Sequence, residues 1–202
     1  MINFYKYISY ILHPVLIPIL STLLYFIIIP NHIPEEFAYR VLSVVFITTY
    51  IIPLFLLLFL KRINLIESFH LSSINERKFP ILFFALLSLL LGKLLLKSNT
   101  VNVLAFFFFA CALALGIVYI LFFNNIKTSL HTLGLSGLIG FIGIISYHYE
   151  LNLLLFLTFL FLIFGLVATA RLKLEAHSMS EVFIGFFIGL LTQLIVYFSY
   201  TL

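Results

Sequence analysis

The chain contains no aspartate, so glutamate is the only carboxylate it can bring to any chemistry. It has one cysteine, Cys111, inside an apolar run. That excludes an intrachain disulfide and a thiolate metal cluster. Charge is also scarce, at 9% of 202 residues, where a soluble domain carries about 25%. No stretch is polar enough to form a second, soluble domain. The formal net charge of +4 is spread over few residues, with no basic stripe suited to nucleic acid. Low-complexity linkers and internal repeats are missing too.

What the chain has instead is hydrocarbon, with 64% of its residues hydrophobic. Apolar runs long enough to span a bilayer recur from end to end. They are continuous, whereas the strands of a membrane barrel alternate. The expected fold is all-α, a polytopic transmembrane helix bundle of about six or seven spans in one integral membrane domain covering residues 1–202. The spans are expected near 8–29, 41–60, 80–96, 101–123, 131–147, 151–170 and 178–199, with the usual few residues of error at each end. The first begins near Tyr7, carries Pro14 and Pro18, and is followed by no small-residue cleavage site. It therefore reads as a retained helix.

Seven spans place segments 61–79, 124–130 and 171–177 on the same face as the N-terminus. That face collects His70, Glu76, Arg77, Lys78, Lys127, Ser129, His131, Arg171, His177 and Glu181. The opposite face has only scattered groups such as His32, Arg40, Lys97, His148 and Glu150. Cations between spans often serve only to anchor helices at the interface. Ionisable groups within hydrocarbon are nevertheless costly, and here three separate segments bring such groups to one face.

Each segment has a chemical reading. In segment 70–80, Arg77 and Lys78 stand before Pro80, which is expected to start the next helix. In segment 127–131, Ser129 is expected to N-cap the fifth span, so that backbone N–H groups and the helix dipole face an anion beside His131. In segment 171–181, His177 and Glu181 are four positions apart and share a face if a helix starts near His177. The glutamate can then hold one imidazole nitrogen and leave the other free. Arg171 completes a set of cation, nucleophile or base, and orienting carboxylate that suits phosphoryl transfer. Gly185 and Gly189 form a small-xxx-small pair whose reading is close helix packing.

These residues resemble the membrane PAP2-type (type 2 phosphatidic acid) phosphatases, relatives of acid phosphatases and vanadium haloperoxidases. The family's third motif, S-R-x5-H-x3-D, matches Arg171, His177 and Glu181, continued by Val182 and Gly185. Its second, P-S-G-H, is similar to Thr128-Ser129-Leu130-His131. Its first, K-x6-R-P, survives as Arg77, with His70 in the lysine's place and Pro80 displaced. The resemblance covers roughly residues 70–189, within a PAP2-like region of about 62–202. The helices of about 1–61 carry none of it.

The resemblance implies that His177 attacks phosphorus and that Glu181 orients it. His131 would protonate the leaving oxygen and then activate water. Arg77, Arg171 and Ser129 would hold the phosphoryl oxygens. Lys127, which matches no family position, lies two residues before Ser129 and is expected to restore the charge that His70 weakens. No metal or other cofactor is implied. The expected function is a lipid-phosphate phosphatase acting through a phosphohistidine on a phosphomonoester or pyrophosphate of a membrane lipid. Its partners would be that substrate and membrane lipids, with no nucleic acid, and its location a bacterial inner membrane. Departures at His70, Thr128, Leu130, Ala170 and Glu181 leave a second reading, a catalytically impaired relative that binds or transports lipid phosphate. A third, ranked last, makes a zinc site of His70, His131, His177 and Glu181. On orientation two indications oppose each other. Lys6, Lys61, Arg62, Arg77, Lys78, Lys127, Arg171 and Lys173 outnumber Arg40, Lys93 and Lys97, which places the N-terminal face in the cytoplasm. Family members, by contrast, work on the outer side of the inner membrane.

Overall fold

A computed structural model describes residues 2–30, 33–67, 69, 71 and 73–201. His70 lies outside them. The described residues form helices and no strand. Among the described residues seven helical segments are long and apolar enough to cross a membrane: Asn3–Ile28, Glu35–Arg62, Ile74–Leu96, Asn102–Asn124, Leu130–His148, Leu154–Lys173 and Met179–Thr201. This is a helical membrane bundle.

Prolines shape the first three spans. The first is not one continuous helix. It consists of α1 (Ile2–Ile11), a 3₁₀ turn (Pro14–Leu16) and α2 (Ile17–Ile28). A residue before proline avoids the helical region, and His13 is accordingly extended, at φ −66 and ψ 135. In the second span α3 (Glu35–Phe46) passes through a π turn (Ile47–Ile51) into α4 (Ile52–Arg62). The wide turn precedes Pro53, which has no N–H for the Thr49 carbonyl.

The third span corrects an expectation. α5 (Ile74–Leu96) starts at Ile74, and Pro80 lies inside it. The start is set by a capping box. The Ser73 hydroxyl accepts the Glu76 N–H at 3.3 Å, and the Glu76 carboxylate accepts the Ser73 N–H at 3.2 Å. Two backbone donors are thereby satisfied ahead of the proline. Arg77 consequently sits in the first turn of a helix, not in a loop.

The remaining spans are α6 (Asn102–Leu121), α7 (Leu130–His148), α8 (Leu154–Lys173) and α9 (Met179–Thr201). Asn64, Asn99, Asn125, Glu150 and Glu175 turn the chain with positive φ just past helix ends, the left-handed cap common at C-termini. α7 is the central helix, packed mainly on α9 and also touching α2, α6 and α8. α5 pairs with α6, α6 also meets α9, and α1 lies on α8. The core is apolar, with Phe107, Phe108, Phe141, Leu138 and Ile142 fully buried.

Because α5, α7 and α9 run in the same direction, their N-termini share one end of the bundle. α7 and α9 are unusually close. A Cβ at Gly185 would stand 2.7 Å from the Ser129 carbonyl oxygen, and one at Gly189 would overlap the Leu133 carbonyl oxygen and Ser136 Oγ. Both glycines therefore have the packing role their spacing suggests.

Candidate functional site

The end of the bundle shared by these three N-termini carries the polar residues. α8 ends at Lys173, and backbone N–H groups of Leu174, Glu175 and Ala176 bond back to the carbonyls of Ala170, Leu172 and Arg171. This tight reversal, with Glu175 at φ 52, brings His177 back over the bundle. α9 then opens with a second capping box. The Ser178 hydroxyl accepts the Glu181 N–H, and the Glu181 carboxylate accepts the Ser178 N–H, each at 3.4 Å.

The same carboxylate oxygen accepts His177 Nδ1–H at 2.5 Å. This leaves Nε2 unprotonated and available. The imidazole is 2% exposed, whereas Glu181 reaches solvent at 23%. Burial pushes the His177 pKa down, to about 4, against the hydrogen bond it donates to Glu181, and the Arg171 and Arg77 charges push the same way as burial. His177 is therefore neutral, with a free lone pair, across the physiological range.

Three neighbouring groups lack partners. Thr128 Oγ1, Ser129 Oγ and Arg171 Nε are buried and find no hydrogen-bond partner among the described residues. Thr128 and Ser129 are both 0% exposed. Buried polar groups without partners are rare and call for an explanation. Ser129 holds the N-cap position of α7, but its side chain makes no capping bond. The expectation that it caps this helix is corrected in that respect. Its N–H is tied instead to the Glu181 carbonyl at 3.2 Å, which locks the two helix starts together. The first-turn N–H groups of α7 have no intrahelical acceptor, and the dipole there favours an anion.

The cations surround this spot. Arg77 is buried, and its Nε donates to the Leu71 carbonyl at 2.6 Å. Leu71 is at φ 47, a conformation costing roughly 1–2 kcal/mol for a side chain without local hydrogen bonding. Lys78, next along the helix, faces away over the Phe123 ring at 5.8 Å. Lys127 lies in the linker before α7, where burial lowers its pKa, followed by the Arg77 charge, with Glu181 opposing and Arg171 adding. The ammonium is thus within electrostatic reach of both arginines and the dyad carboxylate. Leu130, at the position where the resemblance has glycine, packs against the cluster of Ile81, Ala114, Val118, Phe122 and Leu133.

His131 sits in the first turn of α7. Its Nε2 lies 3.1 Å from the Ser9 carbonyl, and a carbonyl only accepts, so Nε2 carries the proton. Its ring meets His13 edge-on at 5.4 Å between centroids. Arg171 Nη1 donates to Ser9 Oγ at 3.3 Å. The first helix, outside the region of resemblance, is therefore a wall of this site. His13 carried a readable signal, an ionisable residue inside an apolar run before a proline. Ser9 carried none.

The structure thus brings together Arg77, Lys127, Ser129, His131, Arg171, His177 and Glu181 at one end of the bundle and adds Ser9, His13, Thr128 and Ser178. Among the described residues no group of three or more His, Cys, Asp or Glu is arranged to hold a metal ion. The chain matches no protein-family model, and comparison with curated proteins and with solved structures returns no match.

Proposed function

We propose that this protein is a lipid-phosphate phosphatase working through a phosphohistidine, without a metal. The observation that carries the reading is the His177–Glu181 pair, with its free imidazole Nε2, set among the buried, unpartnered donors Ser129 Oγ, Thr128 Oγ1 and Arg171 Nε. An oriented neutral histidine beside unfilled donors, cations and helix N-termini is what a phosphoryl group requires. Catalysis of its transfer is mainly positioning and charge stabilisation.

In this reading His177 Nε2 attacks phosphorus, and the bond from phosphorus to the lipid oxygen breaks. His131 first draws a proton from solvent onto Nδ1, and the leaving oxygen takes that proton while Nε2–H stays on the Ser9 carbonyl. Glu181 stabilises the cationic phosphohistidine through Nδ1–H. Water then attacks phosphorus, giving its proton to His131, and the P–N bond breaks to release inorganic phosphate. Arg77, Arg171, Ser129 and Lys127 hold the oxygens throughout. The substrate is a phosphate carried by a membrane lipid, such as phosphatidic acid, phosphatidylglycerol phosphate or a polyprenyl pyrophosphate. We place the protein in a bacterial inner membrane and in the PAP2-type family, as a divergent member.

A second reading, a protein that binds lipid phosphate without turnover, is favoured by Leu130 at the glycine position and by His70 at the lysine position. One experiment separates the two. Purified protein, with chelator present, is offered a panel of lipid phosphates, and both bound lipid and released phosphate are measured. Release from at least one lipid is expected. Binding without release supports the second reading, and neither binding nor release overturns both.

A further inference from the structure

We propose that Ser9, on the first helix, is a positioning residue of this site, setting both the arginine that holds the phosphoryl oxygens and the histidine that exchanges the proton. The inference rests on the phosphatase reading but concerns a helix that the motif resemblance does not reach. Two contacts carry it. The Ser9 hydroxyl accepts from Arg171 Nη1 at 3.3 Å, and the Ser9 carbonyl accepts from His131 Nε2 at 3.1 Å. Ser9 is buried, and the partners are 162 and 122 residues away in sequence.

The hydroxyl contact has a geometric consequence. A guanidinium offers an anion its best bidentate grip along one edge, made by Nε and Nη2. Nη1 lies outside that edge. By engaging Nη1, Ser9 holds the plane of Arg171 and leaves Nε, which is buried and unpartnered, for the phosphoryl oxygens. Without the hydroxyl the planar group is free to rotate about its long side chain.

The carbonyl contact concerns proton traffic. With Nε2–H committed to Ser9, the nitrogen that gains and loses a proton is Nδ1. The same carbonyl stabilises the imidazolium that must form before the leaving oxygen is protonated, because a hydrogen bond from a charged donor is stronger than one from a neutral donor. His13, edge-on to the ring, limits its rotation. Pro14 supports this wall by keeping His13 extended, and the turn it starts packs on α7 beside Gly134.

The test uses the full chain in detergent and two readouts. Binding of inorganic phosphate is measured by calorimetry for the parent, Ser9→Ala, Ser9→Thr and Arg171→Ala. The expected result is weakening by about fivefold in Ser9→Ala, the scale of one ordinary net hydrogen bond. Ser9→Thr should recover parent affinity, and Arg171→Ala should bind least. Nitrogen-15 spectra of the parent's histidines should show neutral His131 protonated at Nε2, a readout that needs no variant. If Ser9→Ala binds like the parent while Arg171→Ala does not bind, Ser9 has no positioning role and the phosphate reading stands. A proton on Nδ1 of neutral His131 overturns the carbonyl half. If the parent binds no phosphate and Arg171→Ala changes nothing, the phosphate reading itself fails, and this inference with it.

Discussion

Adding one methyl group at Gly185 should damage the site without replacing any of the residues that line it. Gly185 lies one turn beyond Glu181, where α9 crosses α7. The new Cβ would stand 2.5 Å from Thr132 Oγ1 and 2.7 Å from the Ser129 carbonyl oxygen, against 3.4 Å for ordinary contact. The threonine hydroxyl has some room to turn, although it donates to that same carbonyl at 3.0 Å. The backbone oxygen has none, so the helices must part by about 0.7 Å, the difference between 2.7 and 3.4 Å. That parting stretches the Ser129 N–H to Glu181 carbonyl bond, already 3.2 Å, and moves the histidine away from the unpartnered hydroxyl.

Displacement near 1 Å costs about a hundredfold in a positioned reaction, so Gly185→Ala should lower kcat/KM by about ten- to a hundredfold. Stability should change far less. Overpacking costs about 1–3 kcal/mol, offset by about 1 kcal/mol of helix propensity. Gly143→Ala and Gly165→Ala are the controls, since nothing lies within 4 Å of a Cβ there, and both should behave like the parent. Phosphate release and thermal unfolding in detergent are measured together. Parent-level kcat/KM and phosphate affinity in Gly185→Ala would refute the idea that this close approach sets the geometry.

The other expectations concern charge. His177→Ala should abolish turnover, whereas Glu181→Gln should leave a weak remainder, because a nucleophile is indispensable and its orienter is partly replaceable; parent-like activity in His177→Ala would remove it from the mechanism. Since burial holds the His177 pKa down at about 4, the acid limb of kcat/KM should fall well below the ordinary imidazole range near 6.5. The limb lies where protonation removes the lone pair, and Glu181 opposes the downward shift, so Glu181→Gln should move it lower still. An upward move in the pH–rate profile contradicts this. Lys127→Ala should lower kcat/KM at least tenfold, about 1.4 kcal/mol of transition-state binding, and an unchanged value would mean that Lys127 only reaches the headgroups.

The class of protein is written in the amino-acid sequence alone. Hydropathy is a property of each run, and a run that spans a bilayer must form a helix whatever its neighbours do. Seven spans, their approximate ends and the parity of their loops therefore followed without a structure. The His177–Glu181 pair was legible for the same reason, since residues four apart on a helix meet through local geometry alone. The capping boxes at Ser73–Glu76 and Ser178–Glu181 are equally local signals. Reading Pro80 as a helix start instead misplaced α5. The tertiary structure alone decided what surrounds the dyad. Ser9 reaches Arg171 across 162 residues, and nothing in a serine on an apolar helix announces that contact. Likewise, Ser129 has the composition of a helix cap, but only the packing of α9 on α7 ties its N–H to Glu181 and leaves its hydroxyl buried without a partner. Helix formation is settled within a few turns of chain, whereas the rotation and approach of one helix on another depend on side chains from both. The arrangement of this site rests on those distances.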